Sequence, residues 1–375
     1  MLTSSNMAKN APNLTFLILI SVLITWGMFT LATVSFHFSL ERYGNGWHYF
    51  LHQILLGLLP GIFLIFLILR LKLETLKKLS IYLFGLNLIL LALVFLPKIG
   101  VEIRGGKRWL NIGPILFQPS EFLKITFLLY LSAWLSNRLD SKRKFKEASQ
   151  APLVFLIILG ILGVILLLQP DLSTLIIIFL ASLSVYFASV TPWWHSIPII
   201  LGSGGIVALL IKLKPYRLKR VLPLLYPQID PMGIGYQLNQ SLIAIGSGKL
   251  FGIGKGFSLG LSQQKFEFLP QPMTDSIFAI IGEELGFLGC SCLILLLLLF
   301  AWQGLKIGLK SRDEFSKLLA VGITCWITFQ AFLNIGGMIG ILPLAGTPLP
   351  FFSYGSSHLI TEMAGIGILL NISKK

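Results

Sequence analysis

QQKFEFLPQPMTDSIFAIIGEELGFLG, residues 263–289, runs from a polar, proline-marked loop straight into a strongly apolar helix, with Asp275 at the junction. An acid so placed sits at a membrane boundary. The whole chain supports that reading, with 55% hydrophobic and 12% charged residues and a mean hydropathy of +0.83. A soluble domain carries roughly 25% charged residues, so the composition excludes that class. The fold expected is an all-α polytopic membrane protein forming one transmembrane domain over residues 1–375.

Stretches long enough to cross a bilayer, roughly 17 to 25 apolar residues each, fall at 13–36, 48–69, 80–97, 119–136, 151–168, 172–190, 195–213, 276–301, 316–338 and 351–371. That makes about ten helices, with a long loop, 214–275, between the seventh and eighth. The first run is too long for the apolar core of a signal peptide and lacks an evident small-residue cleavage site, so it reads as a span.

Short loops fix the orientation through their Lys and Arg. One set carries Lys9, then Arg70, Lys72, Lys77 and Lys78, then Arg138 to Lys146, then Lys306 to Lys317, and finally Lys374 and Lys375. The opposite short loops hold only Arg42, Lys98, Arg104, Lys107 and Arg108. This asymmetry puts both termini in the cytoplasm. Loop 214–275 is basic, with Arg217 and Arg220 among its cations, but long loops translocate largely regardless of charge. Two readings of its charge stand side by side: contact with anionic lipid headgroups, about 1 kcal/mol per cation, or a phosphate-bearing ligand.

Other signals are weak. Cys290 and Cys292 point to different helix faces and should not bridge, and no metal-ligand framework is visible. No phosphate-binding loop of the G-x-x-x-x-G-K-S kind and no G-x-S-x-G elbow occurs, and no nucleic-acid partner is expected. The glycines of 244–260 have no strand or crossover unit around them and read as re-entrant or interfacial loop backbone.

Charges at membrane depth carry more information, because each costs several kcal/mol unless paired or facing water. In QPSEFLKITFLLYL, Glu121 and Lys124 lie three residues apart on one helix face and can pair. The pair is either a self-neutralising structural element or a functional one. Asp171, after Pro170, reads as a helix cap. Glu283 and Glu284 diverge by about 100 degrees on a helix, so at least one faces inward. Asp275 is either a cap for the eighth helix, a task Thr274 can share, or a catalytic or ligand-contacting acid.

Four blocks carry a resemblance: KRWLNIGPILFQPSEFLKI (107–125), QPDLSTL (169–175), GIGYQLNQSLIAIGSGKLFGIGKGFS (233–258) with QKFEFLPQPMTDSIFAIIGEELGFLG (264–289), and NIGGMIGILPLAGTPLPFFSYGSS (334–357). The chain resembles the SEDS family of shape, elongation, division and sporulation proteins along nearly its whole length, its FtsW branch more than its RodA branch. The resemblance implies a ten-helix peptidoglycan glycosyltransferase that polymerises lipid II at the outer face of the bacterial cytoplasmic membrane, at the division septum. It implies a class B penicillin-binding protein and other divisome proteins as partners. The same resemblance puts the catalytic carboxylate on Asp275 and the intramembrane acid and base on Glu121 and Lys124. A departing pyrophosphate needs cations, for which Lys124, Arg217 and Arg220 are candidates, followed by Arg104, Lys107 and Arg108. A divalent cation, Mg2+ or Mn2+, is a family expectation for which the sequence shows no ligand set. Two local departures are present: Met273 and Ser276 flank the acid where the family has His and Phe, and the usual S-Y-G-G-S-S reads Ser353, Tyr354, Gly355, Ser356, Ser357, His358. A lone His is read as a satisfied structural residue or a new polar contact. A lipid flippase and a noncatalytic scaffold for the transpeptidase are the alternatives.

Overall fold

The structure, a computed structural model, describes residues 12–103, 106–113, 115–140, 151–189, 224, 235–253 and 269–374. The helices in chain order are α1 (Leu14–Tyr43), α2 (His48–Arg70), α3 (Leu73–Leu93), α4 (Pro119–Asp140), α5 (Ala151–Leu168), α6 (Leu172–Ala188), α7 (Tyr236–Ser247), α8 (Ile277–Leu309), α9 (Glu314–Met338) and α10 (Ser356–Ser373). The helical membrane architecture expected from composition is present. The expected span at 195–213 lies outside the described residues, and α7 belongs to the segment read as the long loop.

Local chemistry sets the helix ends. Asn13 caps α1 by accepting from the Phe16 N–H at 3.2 Å, and Gly44 closes it in the left-handed region with φ of 67°. Asp171 caps α6 through the Thr174 N–H and also accepts from Ser120 Oγ at 3.0 Å, as its position after Pro170 suggests. A π-helical turn at Ile54–Leu58 interrupts α2 just before Pro60, where the ring removes a main-chain donor. The third span starts at Leu73 rather than 80, because LETLKKL continues the helix beyond its apolar stretch.

Among the described residues, five helices, α1, α2, α3, α8 and α9, are long and apolar enough to cross a membrane by length and composition. In the most apolar stretch of α9, 67% of residues are buried, against 22% in α2. Thus α9 is an inner helix, while α2 shows Phe63 and Phe66 outward. The last helix, α10, is buried almost completely from Ser357 to Ile372, which explains why it carries Thr361, Glu362 and Asn371 within an apolar run. Around these inner helices a continuous core gathers Phe16, Phe127, Phe155, Phe278, Phe300 and Trp326.

One element goes beyond the helical expectation. A three-stranded antiparallel sheet, β1 (Gly100–Ile103), β2 (Gly106–Ile112) and β3 (Ile115–Phe117), pairs Val101 with Trp109 and Leu110 with Phe117 between α3 and α4. Its strands are too short to show a period of their own.

Both described chain ends meet at one end of the bundle, where the Asn13 N–H donates to Ser373 Oγ at 3.0 Å and Lys374 Nζ to Leu69 O at 2.9 Å. Helix direction then puts the sheet, Asp275, Asp171 and the α9–α10 connection at the opposite end.

Candidate functional site

Asp275 is partly buried and lies one residue before Ser276, the cap position of α8. Ser276 Oγ donates to Pro270 O at 2.8 Å and accepts from Gln237 Nε2 at 3.1 Å. The turn containing the acid is held by its main chain. Tyr354 N–H donates to Met273 O at 2.8 Å, Ser353 Oγ to Thr274 O, and Asn334 Nδ2 to Asp275 O at 2.7 Å. Three successive carbonyls are therefore pinned by residues from the α9–α10 region. Each hydrogen bond contributes only about 1 kcal/mol, but together they fix the backbone from which the carboxylate projects.

Glu121 and Lys124 do pair, on the first turns of α4, with Lys124 Nζ 2.8 Å from Glu121 Oε2. Both are buried, at 5% and 1% exposure. Lys124 also donates to Gln330 Oε1 at 2.8 Å and lies 5.4 Å over the Trp326 ring. His358 Nδ1 approaches the same Glu121 oxygen at 2.8 Å, and its Nε2 sits 2.9 Å from Glu362 Oε1. Glu362 is oriented from its other oxygen by the Phe351 N–H at 3.0 Å. His358 is thus the new polar contact of the two readings given above, and its partner is a candidate site residue.

One short segment joins the two acids. Within Ser353–His358, Ser353 and Tyr354 grip the Asp275 turn, the Gly355 N–H donates to Gln53 Oε1 at 3.1 Å, Ser357 Oγ accepts from the Gln118 N–H at 3.3 Å, and His358 reaches Glu121. A second join runs along α9. Gln330 and Asn334 are one turn apart on the same face, so the helix that holds Lys124 also holds the Asp275 carbonyl. Burial pushes the Tyr354 hydroxyl above its ordinary range, and its oxygen lies 2.9 Å from His52 Nδ1.

Beyond Asp275, α8 breaks at Gly286, with φ of 64° and ψ of −161°. The freed groups are answered by the turn after α7: Phe287 N–H donates to Lys249 O at 2.9 Å, Leu288 N–H to Leu250 O at 3.2 Å, and Ile253 N–H to Glu283 O at 3.0 Å. That turn approaches so closely that a Cβ on Gly252 would lie 2.0 Å from Glu284 O. The described part of the glycine-rich loop, to Ile253, is backbone that fills a broken helix, which is how irregular chain is tolerated at membrane depth. Glu283 and Glu284 are both buried at this break.

Other candidates take different places. Arg108 donates from Nε to Gln169 O at 3.0 Å and from Nη2 to Pro170 O, closing the turn before Asp171. Lys107 is exposed on β2, opposite Glu102. Arg217, Arg220 and Arg104 lie outside the described residues. Gln330, Asn334 and Glu362 belong to this site too, and none of them was among the candidates read from the sequence. The signal was available in part, because Gln330 and Asn334 recur at helical spacing in an otherwise apolar run.

The model of the FtsW/RodA/SpoVE cell cycle protein family matches residues 13–375. The chain belongs to this family. Among FtsW/RodA/SpoVE relatives, it is 34% identical over 370 residues to stage V sporulation protein E of Bacillus subtilis, covering 98% of each chain. It is 41% identical over 310 residues to the probable peptidoglycan glycosyltransferase FtsW of Buchnera aphidicola, covering 82% of this chain and 85% of that one. A solved chain of a peptidoglycan synthase complex superposes with a TM-score of 0.76 at 28% identity over 97% of this chain and 98% of the other. The rod shape determining protein RodA of Thermus thermophilus superposes with a TM-score of 0.68 at 27% identity over 97% of both. These likenesses span nearly the whole chain, including the end of the bundle that carries Asp275 and Glu121.

Proposed function

We propose that this chain is a peptidoglycan glycosyltransferase that polymerises lipid II into glycan strands at the outer face of the cytoplasmic membrane. The observation that carries the reading is the segment Ser353–His358, which holds the Asp275 turn at one end and touches the Glu121–Lys124 pair at the other. A base and a cation are thereby fixed at one end of one bundle. Relatives named for this activity support it.

In the reaction, the 4-hydroxyl oxygen of incoming lipid II bonds to the anomeric carbon of the growing glycan as the bond to its lipid pyrophosphate breaks. Asp275 takes the hydroxyl proton as general base. The electron pair leaves on the pyrophosphate, whose charge Lys124 meets, with Arg217 and Arg220 as further candidate cations. Among the described residues no group of three or more His, Cys, Asp or Glu gathers to hold a metal. A divalent cation shared between one carboxylate and the substrate's phosphates needs no such group, so Mg2+ or Mn2+ stays a proposal and no step is assigned to it.

The orientation follows from the loop cations, with both termini cytoplasmic and the Asp275 end outside. The FtsW-like blocks support a septal role with a class B penicillin-binding protein and other divisome proteins. The superposition on a chain of a complex that coordinates polymerization and crosslinking supports a transpeptidase partner. A second reading, a lipid flippase, is favoured only by the break in α8 at Gly286, because discontinuous helices are common in transporters.

The deciding experiment reconstitutes the chain with its transpeptidase, lipid II and divalent metal, and compares Asp275→Asn on a glycan-length gel. Polymer from the native chain and none from an equally stable variant is expected. Equal polymer from both removes Asp275 as base. No polymer from either, with translocation of lipid II intact in both, moves the function to the flippase.

A further inference from the structure

Lys124 uses two acceptors, Glu121 Oε2 and Gln330 Oε1, each at 2.8 Å. Each already has a second donor. His358 Nδ1 stands 2.8 Å from the same Glu121 oxygen, and Trp326 Nε1 donates to the same Gln330 oxygen at 3.1 Å. Gln330 is held in this orientation by its Nε2, which donates to Pro348 O at 3.1 Å. An ammonium that swings away normally strands a buried carboxylate, at a cost of about 3–5 kcal/mol. Here nothing is stranded. With Glu121 on Nδ1 and Glu362 on Nε2, the ring donates to both carboxylates as the imidazolium, a proton on each nitrogen, and so is kept from turning. Glu362 is fixed in turn by the Phe351 main chain.

We propose that His358 is a positioning residue: by holding Glu121 from a second side, backed by Glu362, it releases Lys124 to turn its ammonium toward the pyrophosphate of a lipid-linked substrate. The inference rests on the transferase reading for the identity of that anion, and goes beyond it in assigning His358, Glu362 and Gln330 to the movement of one cation. The family's usual S-Y-G-G-S-S ends on serine where this chain has His358.

Its test is a calorimetric titration of undecaprenyl pyrophosphate into the full chain in lipid nanodiscs. The variants are Lys124→Gln, His358→Leu, His358→Asn and the double variant His358→Leu/Glu362→Leu, and melting temperature is recorded for each. The double variant removes the donor without stranding Glu362, and Asn replaces the Nδ1 donor alone. Lys124→Gln and the double variant should each weaken binding tenfold or more. His358→Asn should recover native affinity to within about threefold, and adding the double change to Lys124→Gln should cost nothing further. Native affinity in the double variant, or losses that simply add to that of Lys124→Gln, would overturn the proposal. So would an equal loss in the Leu and Asn variants that follows their melting temperatures, since that marks a packing role. Polymer formation by the native chain together with Lys124-independent binding overturns this inference and leaves the transferase standing. Lys124- and His358-dependent binding without polymer does the reverse.

Discussion

Glu121 and Asp275 stand at the same end of the bundle, yet they are held in opposite ways. Glu121 is buried and held by its side chain, with Lys124 and His358 on one carboxylate oxygen. Asp275 is partly buried and held by its main chain, through bonds to the carbonyls of Met273, Thr274 and Asp275 itself. A carboxylate compensated by an ammonium at 2.8 Å is a poor proton acceptor, because protonating it would strand the cation. At Asp275 the bonds act on the backbone, so they persist through a change of charge on the carboxylate. This division of labour suits a base at Asp275 and a charge-balancing anchor at Glu121.

The contrast breaks most sharply at Asp275. Asp275→Asn keeps all three pinned carbonyls, so the melting temperature should stay within about 2 °C of the native value while polymerisation falls by roughly 10²–10⁴, the range for removing a general base. A variant that melts much earlier would show that the Asp275 side chain, too, is structural. Lys124→Met tests the other arm. It leaves Glu121 held by His358 alone, so polymer should be lost while stability, read from melting in detergent, falls by no more than about 1 kcal/mol. A loss of about 3–5 kcal/mol, that of a stranded buried carboxylate, would mean that His358 does not suffice to hold Glu121.

Smaller effects should follow at the clamps. Asn334→Leu removes a donor shared by Asp275 O and Thr347 O at 2.7 Å each. It should cost about 1–3 kcal/mol and lower kcat roughly tenfold through misplacement of the base, with KM for lipid II little changed. Ser353→Ala loses the bond to Thr274 O and the one accepted from the Leu349 N–H, for about 1 kcal/mol and the mildest fall in rate. A Ser353 variant worse than Asn334→Leu would shift the main support of the Asp275 turn from α9 to the segment after it.

Much of this was readable from the chain. Apolar runs located the described spans to within a few residues at most ends, and the three-residue spacing of Glu121 and Lys124 foretold their pair, because both signals are local. Asp171 as a cap was legible for the same reason. The roles of Arg108 and His358 were not. Arg108 reads as a free cation near a membrane surface, yet it spends two donors on carbonyls some 60 positions away. His358 reads as a lone histidine because Glu121 is 237 positions distant.

The sequence by itself determined a polytopic helical membrane chain, its junction acid and its intramembrane pair, since hydropathy and helical spacing act over a few turns. Only the tertiary structure decided that α10 is an inner helix, that the glycine-rich turn fills a break in α8, and that Ser353–His358 bridges two acids. Those outcomes depend on which polar groups meet across the bundle. At membrane depth each must find a partner within the protein, and no local pattern names a partner hundreds of residues away.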